Sequence, residues 1–154
     1  MKRFVIGDIH GRHEALKQVL ALSKFNYQKD KLIILGDIKH KVPGISWQEE
    51  QEVPALLNNL NRQLDVEIVP GNHDDGLGGI VPKLKIPPSS GVLVDDVYLG
   101  HGHAWPKESF LDAEHIIIGH RHPLVEIRDK LGYRWKPPVW VRAQLGLKKI
   151  KERF

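Results

Sequence analysis

The chain contains no cysteine. Disulfides and thiolate metal sites are therefore excluded, and any metal must sit on His, Asp, Asn or Glu. The lack of thiols suits an intracellular, cytoplasmic protein. Long apolar runs are missing too: none approaches the roughly 20 residues needed to span a bilayer, so no membrane partner is expected. The opening Met1-Lys2-Arg3-Phe4-Val5-Ile6-Gly7 is basic then apolar, as in a signal peptide. The apolar stretch stops at Asp8, however, and reads as a first strand. Internal repeats and an interdomain linker are also absent. At 154 residues the chain is long enough for one domain with a sizeable core. The expected organisation is a single domain over residues 1–141, followed by a basic C-terminal tail over residues 142–154.

Histidine, by contrast, is abundant. There are nine, and seven lie in or beside five short glycine-tethered clusters of oxygen and imidazole donors. In order these are Gly7-Asp8-Ile9-His10-Gly11, Gly36-Asp37, Gly71-Asn72-His73-Asp74, His101-Gly102-His103 and Gly119-His120-Arg121-His122. Each comes at or just after a β-like apolar run. A lone Asp-x-His or His-x-His is most often surface or satisfied structure. Five in series offer enough ligands for two metal ions sharing one carboxylate, and point to hydrolysis of a phosphate ester. A carboxylate can bridge two cations and lower their repulsion, while neutral imidazoles bind without cancelling the charge that polarises a phosphate. Two such ions about 3.5–4 Å apart share a hydroxide nucleophile and clamp both ends of an in-line displacement.

Apolar periodicity places the clusters. Arg3 to Gly7, Lys31 to Leu35 and Val66 to Val69 read as strands. Between them lie helical stripes, His13 to Lys24 and a segment opened by the capping-box pattern Ser46-Trp47-Gln48-Glu49. Pro54 predicts a break or kink in the second stripe. Alternation of strand and helix implies parallel pairing, with functional groups at the carboxyl ends of the strands. Residues 76 to 91 read as loop with one short strand. Val92-Leu93-Val94 and Val97-Tyr98-Leu99 flank Asp95-Asp96 as a tight hairpin. A short helix from Pro106 to Glu114, a strand at Ile116-Ile117-Ile118 and a second hairpin around Lys130-Leu131-Gly132 follow. The predicted fold is α/β, a two-sheet αββα sandwich with the site at the strand ends.

The five clusters resemble the signature of the calcineurin-like metallophosphoesterases, GDxHG, GD, GNHD or GNHE, H and GHxH. Gly36-Asp37-Ile38-Lys39-His40, His101 to Pro106 and Gly119 to Pro123 are further similar to a small archaeal branch related to the phosphoesterase subunit of a repair nuclease. The resemblance implies that Asp8, His10, Asp37 and His122 hold a first metal. It gives Asp37, Asn72, His101 and His120 to a second, with Asp37 bridging. Manganese is the expected ion, with iron, zinc, cobalt or nickel as alternatives. His73 is then the candidate general acid or a positive group at the transition state, and Asp74 the residue suited to orient it. His103 is a ligand in place of His101, a group supporting the ligands from behind, or a substrate contact; His101 is favoured as the ligand because the preceding strand delivers it first. Many relatives continue the second cluster as GDxxDR, whereas this chain has His40 and Lys41 in the last two places. Arg12, Lys39, His40 and Lys41 are the candidates to bind the substrate's non-bridging oxygens.

Charge is uneven. Residues 128–154 hold nine Lys/Arg against two acidic residues, a net +7, while the remainder carries a net −3. A basic end is most simply a solvated tail, and secondarily an attractor of polyanions. Trp105, Trp135 and Trp140 are read as core or interface fillers before base-stacking groups. The expected activity is metal-dependent hydrolysis of a nucleotide or nucleic-acid phosphodiester. A small-molecule phosphomonoesterase and a non-catalytic protein-binding scaffold are the alternatives. An unfinished sheet edge near Val139 to Val141 leaves room for a homo-oligomer.

Overall fold

A computed structural model describes the chain except Lys83, Lys85, Arg153, Phe154 and the side chains of Leu147 and Lys148. Its core begins with the apolar run Leu32-Ile33-Ile34-Leu35, buried on both faces as the middle of a parallel sheet requires. Strands β1 (Arg3–Gly7), β2 (Lys31–Leu35) and β3 (Asp65–Val69) lie in that order, all parallel, with Gly7, Leu35 and Val69 in register. Side chains alternate between the faces of a strand. Leu32 and Ile34 accordingly pack with Leu16 and Leu20 of helix α1 (His13–Leu22) and with Val53, Leu57 and Leu60 of α2 (Trp47–Gln63). Ile33, Leu35 and Val69 face the other way, onto Leu99 and the partly buried Val92, Val94, Val97 and Ile117 of a second sheet.

That second sheet is β4 (Val92–Val94), β5 (Val97–Gly100) and β6 (His115–Ile118), in order, with an antiparallel hairpin first and a parallel pair second. Asp95 takes a left-handed φ of 54° at the hairpin turn. The layering is thus helices, sheet, sheet, the expected α/β sandwich. Over the outer face of the second sheet, Phe110 of a 3₁₀ turn (Glu108–Asp112) meets the Tyr98 ring edge-on at 5.1 Å.

Three local expectations change. Helix α2 runs unbroken through Pro54. Its capping box forms, and its buried face anchors it on the sheet. Glu50, whose carbonyl loses its partner to the proline ring, is exposed, so water can replace that bond. Residues 76–91 hold one helical turn, α3 (Leu77–Ile80), and no strand among the described residues. The helix expected from Pro106 narrows to the 3₁₀ turn.

The molecule divides into two compact units, Met1–His120 and Arg121–Phe154. The sheets and helices above make up the first. The second contains a hairpin, β7 (Ile127–Arg128) with β8 (Arg134–Trp135), and a short helix α4 (Leu147–Lys151). Asp129 Oδ1 closes the hairpin by accepting from the Leu131 and Tyr133 N–H groups at 2.9 Å. The tryptophans read as core or interface fillers are not in the core: Trp105, Trp135 and Trp140 are each more than half accessible. No helix among the described residues is long and apolar enough to cross a membrane.

Candidate metal centre

Every donor cluster of the first unit begins where a strand ends. β1 leads into Asp8, β2 into Gly36-Asp37, β3 into residues 70–74, β5 into His101 and β6 into Gly119-His120. The loops are packed too tightly to admit side chains at two glycines. A Cβ on Gly36 would stand 2.5 Å from Gly71 Cα and 2.7 Å from His101 Nδ1. One on Gly71 would run into the Asp37 carboxylate and backbone. The glycines of the second and third clusters are therefore required by close approach of the Asp37 loop to the Asn72 loop.

The same loops hold non-glycine residues in the left-handed region. Asp8 (φ 49°), His10 (φ 45°), Asp37 (φ 52°) and His120 (φ 68°) all adopt it. Such conformations cost roughly 1–3 kcal/mol each and persist only when surroundings fix them, typically at functional sites. Here the His10 N–H donates to the Asp37 carbonyl at 2.7 Å, and the Gly11 N–H to the Ile38 carbonyl at 2.9 Å. The His73 N–H donates to Asp37 Oδ1 at 3.0 Å and the His120 N–H to Asp8 Oδ2 at 3.1 Å.

Asp37 is the centre of the group. Its buried Oδ2 lies 3.4 Å from His101 Nε2, 3.8 Å from His10 Nε2 and 4.0 Å from His73 Nε2. His101 is fully buried, and its Nδ1 lies 2.7 Å from the Leu35 carbonyl. A carbonyl can only accept, so Nδ1 carries the proton. In the neutral ring Nε2 then presents a lone pair to Asn72 Oδ1 at 3.1 Å and to Asp37 Oδ2. Acceptors converging on one point suit a cation, and a ring fixed by its second nitrogen is the usual setting of a ligating histidine. Asp37, His101 and His120 each offer a donor atom within 4.8 Å of the others. Burial, opposed chiefly by Asp37, lowers the pKa of His10, which favours the neutral form that binds metal. The donor set gathered around Asp37 therefore fits divalent cations. His122 belongs to the second unit, also in a left-handed conformation (φ 39°).

Around this centre stand the remaining candidates. The rings of His10, His40 and His73 form a cluster with centroids 5.0–6.0 Å apart. His103 lies beside His101, at 5.2 Å between centroids, with its pKa lowered by burial and then by His101 and His120. His101, not His103, faces Asp37 and Asn72. Arg12 and Lys41 are exposed next to their clusters.

Two assignments change. Asp74 does not orient the His73 ring. Its carboxylate accepts the Gly71 N–H at 2.8 Å, the Ile38 N–H at 2.9 Å and the Lys39 N–H at 3.4 Å, stitching the third cluster to the second. The His73 Nδ1 instead lies 2.6 Å from the His40 carbonyl. Lys39 is fully buried, with Nζ donating to the Lys41 and Gly44 carbonyls at 2.8 and 2.7 Å, so it is a brace for its loop and not a substrate cation. Glu49, which the sequence marks only as a cap, does more. Its carboxylate accepts the His40 and Lys41 N–H groups at 2.6 and 2.8 Å. The capping pattern is the one signal of it in the sequence.

A layered α/β protein with Asp and His donors gathered at its strand ends is the class that fold and site define. The model of the family described as "Calcineurin-like phosphoesterase" matches residues 1–147, and the chain belongs to that family. Membership implies divalent metal ions, which the His/Asp clusters suit. The chain is 39% identical over 85 residues to a symmetrical bis(5'-nucleosyl)-tetraphosphatase of Buchnera aphidicola, covering 55% of this chain and 28% of that one. It is 31% identical over 74 residues to the serine/threonine-protein phosphatase CPPED1 of Mus musculus, covering 46% and 24%. It thus spans less than a third of the length of these curated relatives. Among solved structures, the Pseudomonas putida nuclease MPE superposes with a TM-score of 0.53 at 20% identity, over 79% of this chain and 61% of that one, a likeness of fold.

Proposed function

We propose that the chain is a metal-dependent phosphodiesterase acting on a nucleotide or nucleic-acid phosphodiester. The observation that carries this is Asp37 Oδ2, buried between His10 Nε2 and His101 Nε2, where one carboxylate can serve two cations. Asp8, His10, Asp37 and His122 are the proposed ligands of one ion, and Asp37, Asn72, His101 and His120 of the other. Manganese is the ion we propose. When bound, the pair would supply Lewis-acid polarisation of the phosphate and a hydroxide nucleophile at neutral pH.

The protein's own groups do the rest. His101 is locked in one tautomer by the Leu35 carbonyl, so its Nε2 stays free to ligate. His73 gives Nδ1–H to the His40 carbonyl and turns Nε2 towards Asp37; in the doubly protonated ring the Nε2 proton can pass to the leaving oxygen. His40, with its ring beside His10 and His73, and the exposed Arg12, Lys41 and His103 are the proposed contacts for non-bridging oxygens. The nucleotide substrate class draws support from the nucleosyl-tetraphosphatase and nuclease names of the relatives. A phosphomonoester reading draws on the protein phosphatase match. We place the reaction in the cytoplasm, in keeping with the absence of cysteine.

Hydrolysis by chelator-stripped protein with manganese restored tests the proposal. The panel holds a chromogenic phosphodiester, the matching monoester, cyclic and dinucleotides, and single- and double-stranded DNA. Diester or nucleotide turnover that needs manganese and disappears in Asp37→Ala is expected. Turnover confined to the monoester would replace the diesterase reading, and turnover equal in Asp37→Ala would remove the dinuclear site from the chemistry.

A further inference from the structure

The segment 38–44 brings the His40 ring beside His10 and His73, and three side chains hold its backbone. Asp74 holds its start through the Ile38 and Lys39 N–H groups. Lys39 Nζ draws its far end inward through the Lys41 and Gly44 carbonyls. Glu49, from the first turn of α2, holds its middle: Oε1 receives the His40 N–H at 2.6 Å and the Lys41 N–H at 2.8 Å. The other oxygen, Oε2, receives the Ser46 N–H at 2.8 Å and the Ser46 hydroxyl at 2.7 Å. A capping box needs only the Ser46 N–H bond to Glu49 and the Glu49 N–H bond back to Ser46 Oγ, which is present at 3.2 Å. The Oε1 bonds are additional, and one of them lands on the residue whose carbonyl accepts from His73 Nδ1 at 2.6 Å.

We propose that Glu49 is a positioning residue for His73: by holding the His40 and Lys41 N–H groups it fixes the His40 carbonyl, which fixes the His73 tautomer and aims Nε2 into the site. The inference rests on the reading of His73 as the group that protonates the leaving oxygen. The charge on Glu49 suits the task. Burial alone would push its pKa up, but the hydrogen bonds from Lys41, Ser46 and His40 more than offset this and hold the carboxyl at about 2. The acceptor therefore stays ionised wherever the enzyme would work. Sequence spacing offers no hint of this link, because it runs from a helix N-terminus through a main-chain carbonyl to a side chain 24 residues further on.

The test has two readouts. In the full chain loaded with diamagnetic zinc, nitrogen-15 histidine spectra report each ring's tautomer, and His73→Ala identifies the His73 signals. Wild type is expected to show His73 protonated at Nδ1, and Glu49→Gln to show both tautomers. With manganese, Glu49→Gln is expected to lower kcat by about 10- to 100-fold, the scale of a slightly misplaced group, with KM unchanged. The loss should be larger for an unactivated diester than for a nitrophenyl diester, whose leaving group needs no proton. Glu49→Asp, which withdraws the carboxylate by one methylene, should fall between. Ser46→Ala breaks the capping box but leaves Glu49 its bonds to His40 and Lys41, so it should lower the melting temperature while keeping kcat and tautomer. The proposal is overturned if Glu49→Gln lowers melting temperature alone, or changes kcat equally for both leaving groups with the tautomer intact. Should wild type hydrolyse nothing, the functional reading falls, and the tautomer comparison still decides whether Glu49 positions His73.

Discussion

A carbonyl, not a carboxylate, meets the second nitrogen of His73. Its Nδ1 is thus fixed without a carboxylate partner, and Asp74 is left to join two loops. Replacing His73 with Ala should keep both metals and lower turnover by about 10²–10⁴-fold; metal analysis beside kcat measures the two effects separately, and unchanged turnover would remove His73 from the chemistry. Gly71 makes the opposite prediction. Because a Cβ there runs into Asp37, Gly71→Ala should displace the bridging carboxylate and lower metal occupancy, read by metal content of the purified protein. Lys39→Met would leave the Lys41 and Gly44 carbonyls without their donor. Losing two hydrogen bonds from a charged donor should be destabilising in a denaturant titration. A stability equal to wild type would mean the buried amino group braces nothing. These residues mark the limit of sequence reading at this scale. Donor identity and order were legible, because glycine-tethered Asp and His clusters recur after apolar runs. Which lysine points inward was not, because Lys39 and Lys41 differ only in the direction the backbone gives them.

At the scale of elements, the strands were readable from composition and alternation. Arg3–Gly7 and Lys31–Leu35 have the same bounds in sequence and structure, since each apolar run is closed by a Gly-Asp pair. Helix α2 was less so: propensity predicts a break at Pro54, but packing of Val53, Leu57 and Leu60 against the sheet carries the helix through. The start of α2 has a pH signature. Glu49 has a folded pKa of about 2 against an ordinary 4.5. Between those values the unfolded chain binds more protons, so stability rises with pH there. The contribution is complete above about 4.5 and is lost as pH falls towards 2. Melting temperatures of wild type and Glu49→Gln should therefore differ most above that window and converge below it. A constant difference across the range would contradict this ionic anchor.

For the whole molecule, the first unit contains both sheets and every donor cluster up to His120, and the family model reaches beyond it to residue 147. The second unit carries ten of the 23 Lys/Arg and a net +7, against a net −3 for the first. If the substrate is a nucleic acid, each of Lys149 and Lys151 that meets a phosphate should lower the salt slope of binding by about one when neutralised; binding that ignores salt would argue for a small nucleotide. The two-sheet sandwich was legible because alternating strand and helix patterns give way to a hairpin and a buried strand. The division at Arg121 was not, since no Gly/Pro-rich linker announces it.

Metal counting tests most directly the proposed sharing of Asp37 by two cations. Apo protein titrated with manganese, followed by calorimetry and by metal content after desalting, should bind two ions per chain, and Asp37→Ala should bind neither tightly. A single ion in wild type, or two ions retained in Asp37→Ala, would contradict the account.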